Sequence, residues 1–261
     1  MPDRKTQRYK CVCAYDGTMF SGWQSQPNGL GVQDFIERRL AEILGQKTRI
    51  HGSGRTDAGV HANNQVFHFD AEWKHGSRTL FSALRCGYPD DILIKSVLKV
   101  PQNFHARFSA SGKRYVYKLM LGYAPPELTR YRWSLGNRVP DVGKMLEAAK
   151  LLLGRHDFTA LSANRGKPDE DTFKTLTRLD VKKRGRNISI TVEGDGFLYK
   201  MVRFIVGALV SVGLGKLSTC DLLEALESRK RGTLFQAAPA KGLFLDKVFY
   251  SKNSKTMPHR D

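Results

Sequence analysis

The run Gly52-Ser53-Gly54-Arg55-Thr56-Asp57-Ala58-Gly59-Val60-His61 sets an acid beside a base in a glycine-rich stretch. Gly52-x-Gly54 after a strand-like segment first suggests a dinucleotide-binding turn. Asp57, however, stands where that turn needs its third glycine, and a carboxylate there repels a pyrophosphate. A P-loop is also absent: Gly215-Lys216 is followed by Leu217, and Val210 occupies the place of its first glycine. No nucleotide cofactor is expected. Glycines let a backbone turn sharply and approach a ligand closely. Arg55 and Asp57, two apart, diverge if the loop is extended, so each reaches its own partner. An aspartate beside cations stays ionised. In a partly dry cleft it can attack an electron-poor sugar carbon or a pyrimidine ring. The plainer reading is that Asp57 only caps a turn. His61 and His68 could join Asp57 around a metal, but their spacing matches no common site. Neutral, hydrogen-bonding histidines and no metal are expected.

The elements that must carry this loop follow from periodicity. Tyr9 to Tyr15 reads as a strand ending at the turn Asp16-Gly17. Val32 to Leu44 is a helix with an apolar stripe through Val32, Phe35, Ile36, Leu40, Ile43 and Leu44, stopped by Gly45. Thr48–Ser53 and Gln65–Phe69 are strands, Thr79–Cys86 a helix, and Ile92–Val100 a strand before Pro101. The second half repeats the order. Lys113–Leu121 is a strand and Val142–Leu153 a helix with Asp141 as N-cap. Leu176–Lys183 and Ile188–Glu193 form a hairpin; helices follow at Leu198–Val212 and Cys220–Ser228, then the strand Leu243–Phe249.

The expected fold is α+β: two ferredoxin-like β-α-β-β-α-β halves forming a mixed or antiparallel sheet, helices on one side, and a central basic cleft. The halves are 1–105, an α/β domain with the Asp loop, and 106–261, a second α/β domain. The boundary is expected near Phe104 to Gly112. Three segments read as mobile: Gly122–Arg138, Ser162–Thr172 and the tail Ser251–Asp261. In the first, Arg130, Tyr131, Arg132 and Trp133 alternate charge and ring, a pattern that either grips RNA or pins a surface loop.

Of 261 residues, 43 are Lys or Arg and 25 Asp or Glu, a net charge of +18. That excess expects a polyanionic partner. The clusters Arg184–Arg186 and Arg229-Lys230-Arg231 are candidates for phosphate contacts, or plain solvated charge. Four cysteines, Cys11, Cys13, Cys86 and Cys220, have no zinc spacing, and Cys11 and Cys13 share one strand face. A reducing, cytoplasmic setting is expected. The opening Met1–Tyr9 is polar and basic, unlike a signal peptide. The apolar stretch Met201–Leu214 is interrupted by Arg203 and is too short to span a bilayer.

Gly52 to His61, continuing through Gln65-Val66-Phe67-His68-Phe69, resembles the signature of the TruA family of tRNA pseudouridine synthases. Tyr15-Asp16-Gly17-Thr18 with Gly22-Trp23-Gln24, Phe104–Ala110 followed by Lys113-Arg114-Tyr115-Val116-Tyr117, and Gly196–Arg203 resemble further family segments, in order, from about Tyr9 to Tyr250. The resemblance implies isomerisation of uridine to pseudouridine in the tRNA anticodon arm, at positions 38 to 40, by a homodimer, a reaction that fits a chain lacking cofactor motifs. Asp57 falls on the family's catalytic aspartate. Tyr115 falls on its active-site tyrosine, stacking on the flipped base and helping a ring proton leave; Tyr117, on the same strand face, is the weaker candidate. Arg203 falls on its active-site arginine, an ion-pair partner for Asp57. Arg55 matches a position that contacts RNA near the target. Tyr199-Lys200 departs from the pattern, since bacterial members often carry His there. Asp169-Glu170-Asp171 is an acidic stretch that suits a face avoiding RNA.

Two other classes compete. A non-catalytic RRM-like RNA-binding protein fits the element order and the charge, but no RNP1-like aromatic run is present and it leaves Asp57 unexplained. A metal-dependent nuclease needs an acidic cluster that the sequence does not display.

Overall fold

The computed structural model describes residues 6–163, 171–230, 233 and 235–251. They form two compact units. The first runs to Ser111 and takes back the chain from Leu245; the second is Gly112–Phe244.

The first unit contains β1 (Gln7–Tyr15), α1 (Val32–Leu44), β2 (His51–Gly52), β3 (His61–Ala71), α2 (Gly76–Leu84) and β4 (Ile92–Val100). Strands β4, β1 and β3 lie side by side and antiparallel, with β2 on β3. Tyr9, Cys11, Cys13 and Tyr15 alternate inward from β1. Tyr9 stacks on Phe69, and Trp23 packs against Tyr15 and Phe67. Helix α1 buries Val32, Ile36 and Leu40, each contributing about 1.5–3 kcal/mol. The Asp34 carboxylate caps it by accepting the Gly31 N–H at 2.9 Å. Gly45, in the left-handed region at φ 71°, ends it.

The second unit contains β5 (Ala110–Met120, which begins just before the unit boundary), β6 (Trp133–Ser134), α3 (Val142–Leu151), β7 (Gly154–Asp157), β8 (Phe173–Arg184), β9 (Asn187–Gly194), α4 (Met201–Gly213) and α5 (Thr219–Ser228). Its strands run β5-β9-β8-β7, with β6 parallel to β5. Helix α4 buries eleven residues, from Met201 to Gly213, and packs on α3. The last strand, β10 (Leu243–Tyr250), ends in the first unit beside β3. Among the described residues no helix is long and apolar enough to cross a membrane.

The fold is α+β, and it departs from the sequence expectation at several points. The division is not a single cut after residue 105, because β10 pairs with β3 and returns the chain from Leu245 to the first unit. The expected strand Thr48–Ser53 shrinks to two residues. Ile50 gives its N–H to Glu37 and its carbonyl to Gln33, so helix α1 takes the bonds a strand neighbour would use. Helix α4 starts at Met201 and not Leu198, since Lys200 adopts φ 59°. Gly122–Arg138, read as mobile, is tied down: Gly122 and Gly136 bridge, β6 joins β5, and Arg186 donates to the carbonyls of Leu121 and Tyr123. Arg132 bonds Asn187, and Trp133 meets Tyr117 edge-on. Residues 164–170, which include most of the acidic stretch, Arg231, and the tail beyond Ser251 lie outside the described residues.

Cys11 and Cys13 are buried on β1, and burial pushes both thiols far above their usual range. Cys86 and Cys220 are exposed, one in each unit.

Candidate active site

The Asp57 loop is suspended from buried polar side chains on both flanks. Gln65, fully buried, accepts from the Ser53 hydroxyl at 2.7 Å and from the Val66 N–H at 3.2 Å, and it donates to the Gly54 carbonyl at 2.9 Å. Ser53 N–H bonds the Val66 carbonyl. These bonds satisfy groups that would otherwise be costly to bury. On the other flank, Trp23 N–H bonds the Thr56 carbonyl, and the Tyr15 and Thr56 hydroxyls meet at 2.8 Å. Val60 N–H closes a turn on the Asp57 carbonyl. Gly22, at φ 94°, lets the chain pass so close that a Cβ there would lie 2.5 Å from the Thr56 oxygen. The half-buried Asp57 side chain thus springs from a backbone with little freedom.

Arg55 is exposed, and its Nε donates to Gln24 Oε1 at 3.0 Å. Gln24 in turn donates to Gln33 on α1. Arg55 is therefore aimed by a relay of two glutamines. Gln33, Gln65, Thr56 and Tyr15 were not singled out from sequence as aiming the loop. Only their partners in the fold reveal that role.

His61 Nδ1 lies 3.0 Å from the Gly17 N–H and 3.0 Å from Asp16 Oδ1. His68 Nδ1 accepts from the Ala106 N–H. Burial, then the neighbouring His105 and Arg8, lower its pKa to about 3, so it is neutral. Among the described residues no group of three His, Cys, Asp or Glu side chains is placed to hold a metal.

In the second unit, Tyr115 lies on β5 opposite Val192 and meets Phe197 edge-on at 5.1 Å. Tyr117 is fully buried. Its hydroxyl donates to the Pro239 carbonyl at 2.7 Å, and burial raises its pKa far above the usual tyrosine value. Its proton is committed to a structural bond. Tyr117→Phe is expected to remove about 1–3 kcal/mol of stability by leaving the Pro239 carbonyl unpaired. Urea unfolding measures the loss, and a variant as stable as wild type would contradict a structural role for the hydroxyl.

Arg203 stands in the first turn of α4, where a cation opposes the helix dipole. Its Nε donates to the Ala238 carbonyl at 2.7 Å, and its own carbonyl accepts the Ala238 N–H at 2.9 Å. Ala238 thus holds both the side chain and the backbone of Arg203. Arg55 and Asp57 thus share one loop of the first unit, and Tyr115 and Arg203 are each fixed within the second.

A family model described as tRNA pseudouridine synthase matches residues 12–109 and 148–251, which take in Arg55, Asp57 and Arg203. The chain belongs to the tRNA pseudouridine synthase family, and it is an isomerase. Among its relatives it is 42% identical to tRNA pseudouridine synthase A of Brevibacillus brevis, over 94% of this chain and 100% of that one. It is 41% identical to the protein of the same name from Geobacillus kaustophilus (94% and 95% covered) and 39% identical to that of Acetivibrio thermocellus (92% and 98%). Among solved structures, a Cbf5-Nop10-Gar1 complex is similar at 12% identity and a TM-score of 0.35, covering 78% of this chain and 45% of that one, too remote to bear on function.

Proposed function

We propose that this isomerase converts uridine to pseudouridine in the anticodon arm of tRNA, at positions 38 to 40, with Asp57 as nucleophile, and that it works as a cytoplasmic homodimer. The observation that carries the reading is the suspended loop: a carboxylate on a backbone fixed by Trp23, Tyr15 and Gln65, with Arg55 held apart from it by Gln24. Asp57 attacks the target nucleoside and the N-glycosidic bond breaks. The uracil turns and rejoins the ribose through carbon, and the bond to Asp57 breaks so that the carboxylate is restored; that ring carbon gives up its proton and the former glycosidic nitrogen gains one. Atoms and electrons balance, so the reaction needs no oxidant and releases no product fragment. Tyr115 stacks on the base and helps the proton leave. Arg203 supplies the cation that keeps the carboxylate charged. Arg55 contacts the RNA beside the extruded nucleotide.

The test is to map pseudouridine in unmodified tRNA incubated with purified protein, without nucleotide or added metal. Conversion confined to positions 38 to 40 is expected. Conversion elsewhere in the tRNA, or none, would overturn the assignment.

A further inference from the structure

Four rings in the first unit form a column that the chemistry above does not use. His51 stacks on His68 with centroids 5.0 Å apart, His68 meets His105 edge-on at 4.6 Å, and His105 stacks with Phe108 at 4.3 Å. The middle of the column is fixed. His68 is 2% exposed, and His105 Nδ1 accepts the N–H groups of Arg107 and Phe108. Both ends are open. Phe108 is 74% exposed, with the Arg107 guanidinium 5.7 Å from its ring. The His51 end faces a pocket of 290 Å³ whose rim carries Lys47 and Arg49.

The pocket's charge is cationic in effect. Asp70 also lines it, but its carboxylate takes two hydrogen bonds from Arg8, at 2.8 and 2.7 Å, and is neutralised there. Arg49 touches Glu37 at 3.2 Å yet keeps 58% of its side chain exposed, and Lys47 is exposed. A bare aromatic ring flanked by arginine, joined through the ring column to a cationic hollow, suits a stacked base and its backbone. Proteins that bind unpaired RNA use rings and guanidinium planes in this way. The net charge of +18 matches such a partner.

We propose that this column is a second RNA contact, separate from the target nucleotide. An unpaired base of the tRNA substrate stacks on Phe108 beside Arg107, and backbone phosphates reach Lys47 and Arg49. The inference rests on the reading of the protein as a tRNA-modifying enzyme, but its readout is affinity and not conversion. It therefore stands or fails separately from the target positions.

The experiment measures binding of unmodified tRNA to the full chain over a range of salt concentrations, with single-turnover conversion at saturating tRNA alongside. Phe108→Ala should weaken binding about 5- to 150-fold, with the saturated rate within about twofold of wild type, the separation expected when only binding is lost. Phe108→Tyr should restore affinity. Lys47→Gln with Arg49→Gln should lower the slope of log affinity against log salt by about two. Unchanged affinity and slope in these variants would overturn the proposal. So would affinity, saturated rate and thermal stability falling together, which marks a folding role only.

Discussion

Asp57→Ala is expected to abolish pseudouridine formation, a loss on the order of 10⁴-fold or more, the scale seen when a nucleophile is removed. The fold should survive. The loop is shaped by bonds through its backbone and the side chains of Ser53, Thr56 and Gln65, all of which the variant keeps. Binding of tRNA should be retained within about threefold or strengthened, because a carboxylate near phosphates repels them. Asp57→Asn keeps the shape and removes the charge, so it should be as inactive as the alanine variant. Filter binding and pseudouridine quantification on the same protein preparation give both numbers. An asparagine variant with substantial turnover would place the nucleophile elsewhere.

Gly207→Ala is expected to be the most damaging single methyl group in the second unit. A Cβ at that position would lie 1.8 Å from the Gln236 carbonyl oxygen and 3.0 Å from its carbon. The obstacle is backbone, so no rotamer relieves it. The segment at 236–238 must move off helix α4, and it carries both anchors of Arg203 at Ala238. Overpacking of about 1–3 kcal/mol, with two weakened hydrogen bonds at about 1 kcal/mol each, gives a loss of roughly 3–5 kcal/mol. The surviving folded protein should also turn over slowly, since Arg203 is no longer aimed. Urea unfolding and a saturated single-turnover rate test this pair of effects. Stability within about 0.5 kcal/mol of wild type, together with normal turnover, would contradict it.

Sequence periodicity located elements where local and tertiary preferences agree. Val32–Leu44 has an unbroken apolar stripe and a glycine stop, and Ile92–Val100 ends at a proline, so both boundaries follow from local chemistry. It failed where a distant partner decides. Thr48–Ile50 has the composition of a strand, but Glu37 and Gln33 claim its backbone. Lys200 in the left-handed region delays α4 because the chain must turn first, and no pattern announces a lysine at φ 59°. The two-residue β6 and the four-residue β7 are too short to show a period. For the candidate site, Asp57 stands out in sequence because a charged residue in a glycine-rich loop is conspicuous. The glutamines that aim its loop were not, since a buried Gln is recognised only by its partners. Tyr115 and Tyr117 alternate onto one face and look alike until the Pro239 carbonyl claims one hydroxyl.

The cysteines divide the chain in a way that an experimenter can exploit. Two thiols lie sealed in β1, their pKa values far too high for reaction near neutral pH. The accessible pair, Cys86 and Cys220, falls one to each unit. The natural sequence thus already carries two labelling points. A donor and an acceptor dye attached there, without any engineered cysteine, turn the separation of the units into an optical signal that can be followed as tRNA arrives, reacts and leaves.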